Sequence, residues 1–316
     1  MPRVLSLIYY FRYYGLTILV SCIVGFLVFF PFADLSDMAT SKISEATNNQ
    51  AYVQFSQLGL SAWPFGIKVG NLDLDTRGLG TVVVDELTVS PAIGAVFGTP
   101  SGSLHAKGIF HGNLDVSLKP AGKSETGNER HRLEVSAETL NLSELKDLSQ
   151  LPISIEGQMS MAGSALFDLA LADQPESEFS IQVEKFEIPS QTINTQMGPI
   201  NLPDIKLSSL ELKGHMANGT MTIDESRFGH DGDELQGTLK GTMSLPFRPS
   251  PGGAQIVMGP YNLALEFTMK SAMENRLSLF LALVNQFKTP LGDSSRYRFR
   301  LTGQNSMAPA SFSALH

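Results

Sequence analysis

Apolar and polar residues alternate along most of this chain, from about residue 51 to the end. In the clearest run, Tyr261 to Met269, the odd positions carry Tyr, Leu, Leu, Phe and Met, and the even positions carry Asn, Ala, Glu and Thr. A β-strand places successive side chains on opposite faces, so this pattern is typical of a strand with one buried face. We therefore predict a mainly β protein with a long antiparallel sheet, which curls into a β-groove or a flattened barrel to hide its apolar face.

The sequence also predicts where some of the strands end and where turns and loops lie. Alternation continues from Ile153 to Leu171, which predicts either one very long strand or a hairpin that turns near Ala162-Gly163. Asn218-Gly219 lies between two alternating runs and predicts a two-residue hairpin loop. Two polar stretches, Pro120–Glu129 and Phe247–Gly253, are predicted as loops, and the residues after Gln304 as a loose tail.

Two segments have a helical pattern instead. Asn141-Leu-Ser-Glu is a possible capping box before leucines at every third position, which predicts a short helix over residues 141–151. Ser271–Phe287 has the apolar spacing of a second helix. This helix is expected to plug the end of the curled sheet; contact with a membrane or a partner is the alternative. Its predicted lid residues are Leu277, Phe280, Leu281 and Val284.

The N-terminal region predicts a membrane anchor. Residues 13–33 include no Asp, Glu, Lys, Arg or His, and 21 residues at about 1.5 Å each match a hydrocarbon core of about 30 Å. Arg3 and Arg12 precede this stretch, which places the N-terminus in the cytoplasm by the positive-inside rule. We expect a cytoplasmic tail at 1–12, a transmembrane helix at 13–33, a periplasmic β-rich domain at 34–304 and a C-terminal tail at 305–316.

Two other interpretations of this segment are weaker. A cleaved signal peptide would have a shorter apolar core and small residues at the cleavage site, which Phe32-Ala33-Asp34 does not offer. Leu19-Val20-Ser21-Cys22 resembles a lipoprotein signal, but ten strongly apolar residues follow the cysteine, where a lipoprotein usually becomes polar.

Composition excludes several classes of function. The chain has 23 basic and 31 acidic residues and a formal charge of −8, which argues against nucleic acid as a partner. A single cysteine excludes an internal disulfide and a multi-cysteine zinc site.

No catalytic motif stands out in the sequence. The densest polar cluster, His230–Glu234, lacks the ligand spacing of a calcium loop and is expected to be a turn between strands. We find no nucleophile elbow, phosphate-binding loop or dinucleotide-binding motif. The sequence therefore predicts a protein that is not an enzyme and that has no cofactor and no metal site.

The candidate functional residues are the apolar positions of two alternating segments. They line either a filled core or an open groove, and the sequence does not decide between these. They are Ile153, Ile155, Met159, Met161, Phe167, Leu169, Leu263, Leu265, Phe267 and Met269.

The order of features along the chain resembles a known family. After the span come Tyr52–Leu60, Trp63-Pro-Phe-Gly-Ile-Lys-Val69, Leu72-Asp-Leu74 and Leu87-Thr-Val-Ser-Pro91, and later Leu202–Leu207, Asn218-Gly219, Gly229–Gly232, Leu239–Thr242 and Tyr297–Gly303. These segments resemble the type II secretion system protein N (GspN) family and, more distantly, the AsmA-like inner-membrane proteins. The resemblance covers nearly the whole chain, but it is carried by structural glycines and alternating apolar residues.

The resemblance implies two possible functions. Protein N is an accessory component of the type II secretion system, so the implied partners are the inner membrane and other components of that apparatus. AsmA-like proteins hold acyl chains in an apolar β-groove, so the alternative is a periplasmic lipid-binding or lipid-transfer protein that binds phospholipid acyl chains. The family has no established catalytic residues.

Overall fold

The computed structural model describes residues 51–62, 65–76, 81–96, 98–124, 126–144, 153–195, 198–250, 253–305 and 309–315, and the single positions 21, 40 and 41. The predicted tail 1–12 and the predicted span 13–33, apart from Ser21, lie outside the described residues, as does Cys22. Within the described ranges, no helix has both the length and the hydropathy that crossing a bilayer requires.

Strands dominate the described chain. In chain order they are β1 (Ala51–Ala62), β2 (Phe65–Thr76), β3 (Thr81–Pro91), β4 (Gly102–Ile109), β5 (Gly112–Lys123), β6 (Glu129–Asn141), β7 (Glu156–Asp168), β8 (Glu176–Ile188), β9 (Gln191–Thr195), β10 (Gly198–Leu202), β11 (Ile205–Ala217), β12 (Thr220–Phe228), β13 (Leu235–Ser244), β14 (Phe247–Ser250), β15 (Gly253–Ile256), β16 (Tyr261–Lys270), β17 (Lys288–Leu291), β18 (Ser294–Gly303) and β19 (Ser311–Ala314). The prediction of a mainly β protein is confirmed.

Fifteen of these strands form one open antiparallel sheet. Its order is β1 to β8, then β11, β12, β13, β16, β18 and β17, and β19 also pairs with β18. The outer side of β18 is shared, because β17 pairs with its first half and β19 with its second half. The pairs β9–β10 and β14–β15 form two separate hairpins.

The helices are short. They are α1 (Ile93–Val96), α2 (Ser271–Arg276), α3 (Ser278–Leu281) and a 3₁₀ helix at Asn285–Phe287. The single helix predicted over Ser271–Phe287 is therefore three short pieces, because Leu277 (φ −96°, ψ 9°) and Val284 (φ −112°, ψ 1°) leave the helical conformation. Of the helix predicted at 141–151, residues 142–144 are helical and residues 145–151 lie outside the described residues.

Several boundaries differ from the sequence prediction. Of the two alternatives for Ile153–Leu171, the structure shows the single long strand, β7, but it begins at Glu156 and ends at Asp168. Pro120–Lys123 belongs to β5, so the predicted loop is shorter, and the loop predicted at Phe247–Gly253 contains most of the β14–β15 hairpin. Beyond Gln304, where a loose tail was expected, β19 pairs with β18. In each of these cases backbone pairing continues where side-chain composition suggested a turn.

The predicted hairpin at Asn218-Gly219 is confirmed. Ala217 pairs directly with Thr220, so these two residues form the whole loop. Both have positive φ, at 51° and 69°, which is the backbone of the turn that best matches the twist of two paired strands.

Bulges interrupt the strands near one edge of the sheet. The pairing register shifts between Lys107 and Ile109, where Gly108 has φ 78°, and between Ala137 and Leu140, where Thr139 has φ 56°. A bulge bends its strand and strengthens the local twist. Beyond a bulge, the alternation of apolar and polar residues is shifted by one position along the sequence. The extra residue absorbs this shift, so the apolar side chains stay on the same face of the sheet.

Candidate functional site

Cross-strand pairing aligns apolar residues into rows on one face of the sheet, which we call the apolar face. The row through its centre, the middle row, crosses fourteen strands, and neighbouring strands lie about 4.8 Å apart, so it is about 60 Å long. Its members are directly paired and are all apolar residues or glycine: Leu60, Ile67, Val89, Leu104, Val116, Val135, Gly163, Phe179, Gly214, Ile223, Gly241, Leu263, Leu301 and Phe312.

The opposite face, the polar face, is equally regular. Its matching row is Ser90, Ser103, Ser117, Glu134, Ser164, Glu178, His215, Thr222, Thr242, Asn262, Thr302 and Ser311. The strict division between the two faces means that one side of the sheet favours water and the other favours an apolar covering.

Burial on the apolar face increases from one long edge of the sheet to the other. The row next to one edge, the rim row, has no buried member: Pro91, Gly102, Leu118, Leu133, Ala165, Ser177, Met216, Met221, Met243, Tyr261 and Gly303. Near the other edge Leu140, Val183, Phe267 and Tyr297 are buried. The face is therefore buried along one edge, the sealed edge, and partly exposed along the rim row, although His131, one row beyond the rim row in β6, is buried.

A segment that we call the helical cover, Ser271–Phe287, closes the sealed edge at β16 and β18. Met273 and Tyr297 are 0% exposed, and the cover residues Leu277, Leu281 and Val284 are buried in the same cluster. The ring of Phe267 stacks on that of Tyr297, with centroids 4.8 Å apart and an angle of 17° between the planes. Full burial of such side chains contributes about 1.5–3 kcal/mol each.

Glu274 attaches the cover to the sheet. Its carboxylate accepts hydrogen bonds from Lys288, from Ser295 Oγ at 2.7 Å and from Tyr297 Oη at 3.1 Å. Burial disfavours its charge, but the bonds from these three donors outweigh burial and hold the pKa of Glu274 below its ordinary value. Burial, together with the bond to this carboxylate, raises the pKa of Tyr297 to about 12.

Arg276 attaches the cover to two turns of the sealed edge. Its guanidinium pairs with Asp204 at 3.1 Å, just before β11, and with Glu234, just before β13. These groups are partly exposed, so each pair is worth about 1 kcal/mol or less. Their effect is to fix the orientation of the cover more than to stabilise it.

Three aromatic rings lie across glycines of the neighbouring strand. A Cβ built on Gly214 would be 2.8 Å from Cζ of Phe179, one on Gly237 would be 2.5 Å from Cζ of Phe228, and one on Gly303 would be 2.4 Å from Cζ of Tyr261. The glycines leave room for the rings to lie flat on the sheet. At Gly214 in the middle row and Gly303 in the rim row, this lets the rings of Phe179 and Tyr261 stay close to the backbone of the sheet.

The candidate residues identified from sequence are distributed as follows. On the apolar face β7 contributes Met159, Met161 and Phe167, and β16 contributes Leu263, Leu265, Phe267 and Met269.

Three of the candidates lie outside these strands. Ile153 and Ile155 precede β7 and are half-buried, and Leu169 is exposed in the turn after it. The strand ends before Leu169 because the Asp168 carboxylate accepts the backbone N–H groups of Ala172 and Asp173 and so forms that turn.

Of the predicted lid residues, Leu277, Leu281 and Val284 are buried and Phe280 is exposed. In an unbroken helix, Phe280 would lie on the same side as Met273, seven residues earlier. Because the backbone leaves the helical conformation at Leu277, Phe280 lies on a different side. Sequence reasoning missed most of the middle row. Its signal was present, as alternation around Val116 and Phe179, but the pairing register that joins these strands is not encoded locally.

Four concavities of the described residues lie on the polar face. One of them has a volume of about 700 Å³ and is bordered by Arg227, His230, Glu266 and Arg296. They are open hollows among charged and polar side chains; in the one just described, Glu266 pairs with Arg296 at 3.7 Å. They resemble the spaces between surface ion pairs more than a site built for a ligand.

Among the described residues, no group of three or more His, Cys, Asp or Glu side chains is arranged to hold a metal ion. His230–Glu234, the cluster noted in the sequence, forms the turn between β12 and β13, as expected. Comparisons of the chain with protein-family models, with curated proteins and with solved structures find no match. Membership of the protein N family therefore stays a prediction.

Proposed function

We propose that this protein is a non-enzymatic envelope protein that holds phospholipid acyl chains against the apolar face of its sheet, which curls into an open groove. The observation that carries the proposal is the middle row, an unbroken apolar line about 60 Å long beside a rim row without a buried member. The inner-membrane anchor predicted at 13–33 would hold this domain in the periplasm.

The size of the face supports an apolar ligand. The rim row and the middle row together span on the order of 400 Å² of sheet, and of their members only Gly214 and Ile223 are buried, so the face has the size of the apolar patches of a few hundred Å² that often mark a functional site. An acyl chain spans about half of a hydrocarbon core of about 30 Å, so the middle row exceeds the length of one chain about fourfold. Rim-row methionines such as Met221 and Met243 suit a lining that adapts to flexible chains.

Curling is supported at the N-terminal end of the sheet. Val53, Val69, Leu72 and Val84 are buried in one cluster with other residues of β1 to β5. Strands of a single sheet bury one another's side chains in this way when the sheet bends around them. The bulges at Gly108 and Thr139 supply such a bend.

The proposal is tested by purifying the full chain from membranes and counting phospholipids bound per protein by native mass spectrometry. Leu263→Asp places a charge in the middle row and is expected to lower bound lipid several-fold, because a carboxylate against acyl chains is costly to desolvate. Leu263 is preferable to Leu265, since Leu265 packs against the buried cluster of the cover.

The matched control is Asn262→Asp, one residue earlier on the exposed polar face. It adds the same charge and is expected to leave lipid binding and unfolding unchanged. A folded Leu263→Asp protein that keeps its lipid, or a wild-type protein purified without any, would overturn the proposal.

We propose as a second candidate that the protein acts as an accessory component of the type II secretion system. The supporting observation is that the segments of the resemblance occur along the whole sheet, from Tyr52–Leu60 in β1 to Tyr297–Gly303 in β18. Deleting the protein should then reduce the amount of secreted enzymes in the medium, and wild-type protein should restore it. Unchanged secretion together with altered envelope lipids would favour the first candidate alone.

A further inference from the structure

Of the twelve exposed large apolar side chains in the part of the chain that the structure describes, seven form two groups that differ in position. The first, Leu60, Phe65, Ile67 and Val89, is continuous with the middle row and so belongs to the face already assigned to acyl chains. The second, which we call the cover patch, consists of Leu279 (68% exposed), Phe280 (41%) and Leu283 (70%). It lies on the helical cover and has no part in the apolar face.

The cover is apolar on two sides. Met273, Leu277, Leu281 and Val284 face the buried cluster, and the cover patch faces away from it. Leu279 and Leu283 are four residues apart, with Phe280 beside them, so the three side chains form one continuous surface on α3 and the turn after it. A helix that only sealed the sheet would need just one apolar side.

The chain segment that carries the cover patch is uncharged. Residues 277–287 contain no ionisable group, and exposed Ser278, Asn285 and Gln286 are their polar members. The nearest charges along the chain, Arg276 and Lys288, are paired with Asp204, Glu234 and Glu274. Removing the cover patch from water therefore desolvates no free charge.

We propose that the cover patch docks on the surface of a lipid bilayer. A stable protein interface needs about 20–30 residues on each side, far more than these three side chains supply. Leu and Phe side chains that insert at the boundary between headgroups and acyl chains need only polar flanks, which this segment has. Docking would bring the sealed end of the sheet, at β16 and β18, to the membrane.

Because the flanking charges are paired within the protein, they are expected to contribute little to membrane binding. Binding is driven by apolar contact, so it should vary little with the fraction of anionic lipid or with salt, unlike a basic surface segment. The inference is independent of whether acyl chains occupy the apolar face, because it concerns the opposite side of the cover.

The experiment uses the full chain in phosphatidylcholine vesicles. Cys22, the single cysteine, is replaced by serine, and one cysteine is introduced at Leu283 for an environment-sensitive fluorophore. The matched control carries it at Ile256, an apolar residue of β15 that is 57% exposed. We expect the label at 283 to be blue-shifted and to be quenched several-fold more by a quencher attached to lipid than the label at 256.

Three results would overturn the proposal. Equal quenching at the two positions would mean that the cover patch stays in water. A blue shift at 283 without quenching by lipid would indicate contact with protein, such as a second copy of the chain. Quenching that is lost at high salt, or that occurs only when anionic lipid is added to the vesicles, would assign binding to charges rather than to the cover patch.

A second variant separates docking from folding. Leu279→Ser combined with Leu283→Ser should leave the thermal midpoint within the error of the wild-type value, because both side chains are exposed. The label moved to Phe280 in that variant should lose its lipid quenching. A folded variant that keeps the quenching contradicts the proposal, and a large fall in the thermal midpoint would show that these residues belong to the core.

Discussion

The C-terminal end of the sheet and its middle have the same strand pattern but different coverings. At β16 and β18 the apolar side chains are buried under the helical cover, whereas β7 and β13 contain no buried apolar residue. The difference arises from a segment of 17 residues, Ser271–Phe287, which packs on one edge and not on the rest. Alternation thus determines which face is apolar, and at the C-terminal end a separate segment converts that face into a core.

The largest expected effect compares two methionines, one from each region. Met273→Ala should cost about 3 kcal/mol, because it empties a fully buried site, whereas Met243→Ala in the rim row should cost less than about 1 kcal/mol. Urea unfolding monitored by circular dichroism measures both. Similar costs would mean that the middle of the sheet is packed as tightly as its end.

The next effect concerns the close approach of backbone and ring in the middle of the sheet. Gly214→Ala should cost about 2 kcal/mol, since its Cβ would lie 2.4 Å from the Thr222 carbonyl oxygen and 2.8 Å from the Phe179 ring. Gly59→Ala is the control, because nothing lies within 4 Å of its added Cβ, and it should change stability by at most about 0.5 kcal/mol. If Gly214→Ala were as mild, Phe179 would be free to stand away from the sheet.

A smaller effect is the pH dependence of the sealed end. The folded state lowers the pKa of Glu274 from its ordinary value of 4.5, so its stabilising contribution is complete above pH 4.5 and is lost as the pH falls below it. Glu274→Gln should remove about 1–2 kcal/mol at neutral pH. Its difference from wild type, measured by thermal unfolding, should shrink in acid; a constant difference would contradict the assignment.

Tyr297 makes the stability of the same region depend on pH in the alkaline range. Its pKa rises from 10.0 to about 12 in the folded state, so its contribution is complete below pH 10 and is lost as the pH rises toward 12. Tyrosine absorbance during an alkaline titration measures this directly. One tyrosine should ionise about two pH units above the ordinary tyrosine value of 10.0.

The smallest effect is expected at His131, which is 2% exposed and is paired in the sheet with Pro120 and Phe167. Neither of its ring nitrogens has a hydrogen-bond partner in the part of the chain that the structure describes. His131→Leu replaces an unsatisfied polar group by an apolar one of similar size and should leave stability unchanged or raise it by up to about 1 kcal/mol. A loss of more than that would reveal a partner for the imidazole.

Local signals in the sequence predicted the parts of the fold that are determined locally. Alternation gave the strands, and Asn218-Gly219 gave its turn, because two residues with positive φ suffice to form it. The break at Leu277 was not predictable from spacing, since the stripe of apolar residues continues through it. Composition also misled at Phe247–Gly253, where proline and glycine indicate a loop but the backbone forms a hairpin.

The candidate site was predictable only in part. Residues of β7 and β16 were identified as apolar lining, but Leu104, Val135 and Phe179 join them only through the pairing of successive strands. The gradient of burial from rim to sealed edge depends on bulges and on where the helical cover packs. These are properties of the assembled sheet, which no short window of sequence contains.

The nearly sequential order of the strands has a consequence for how the chain acquires its structure. From β1 to β8 each strand pairs with the one just made, and later pairings skip only short hairpins or the cover. Contacts that are close in sequence form with little loss of loop entropy, so the sheet can grow from its first hairpin as the chain emerges. Until the next strand is added, the last strand of the growing sheet has an unpaired edge that can pair with another chain. Each new strand covers that edge, so rapid addition of strands shortens the time in which aggregation can begin.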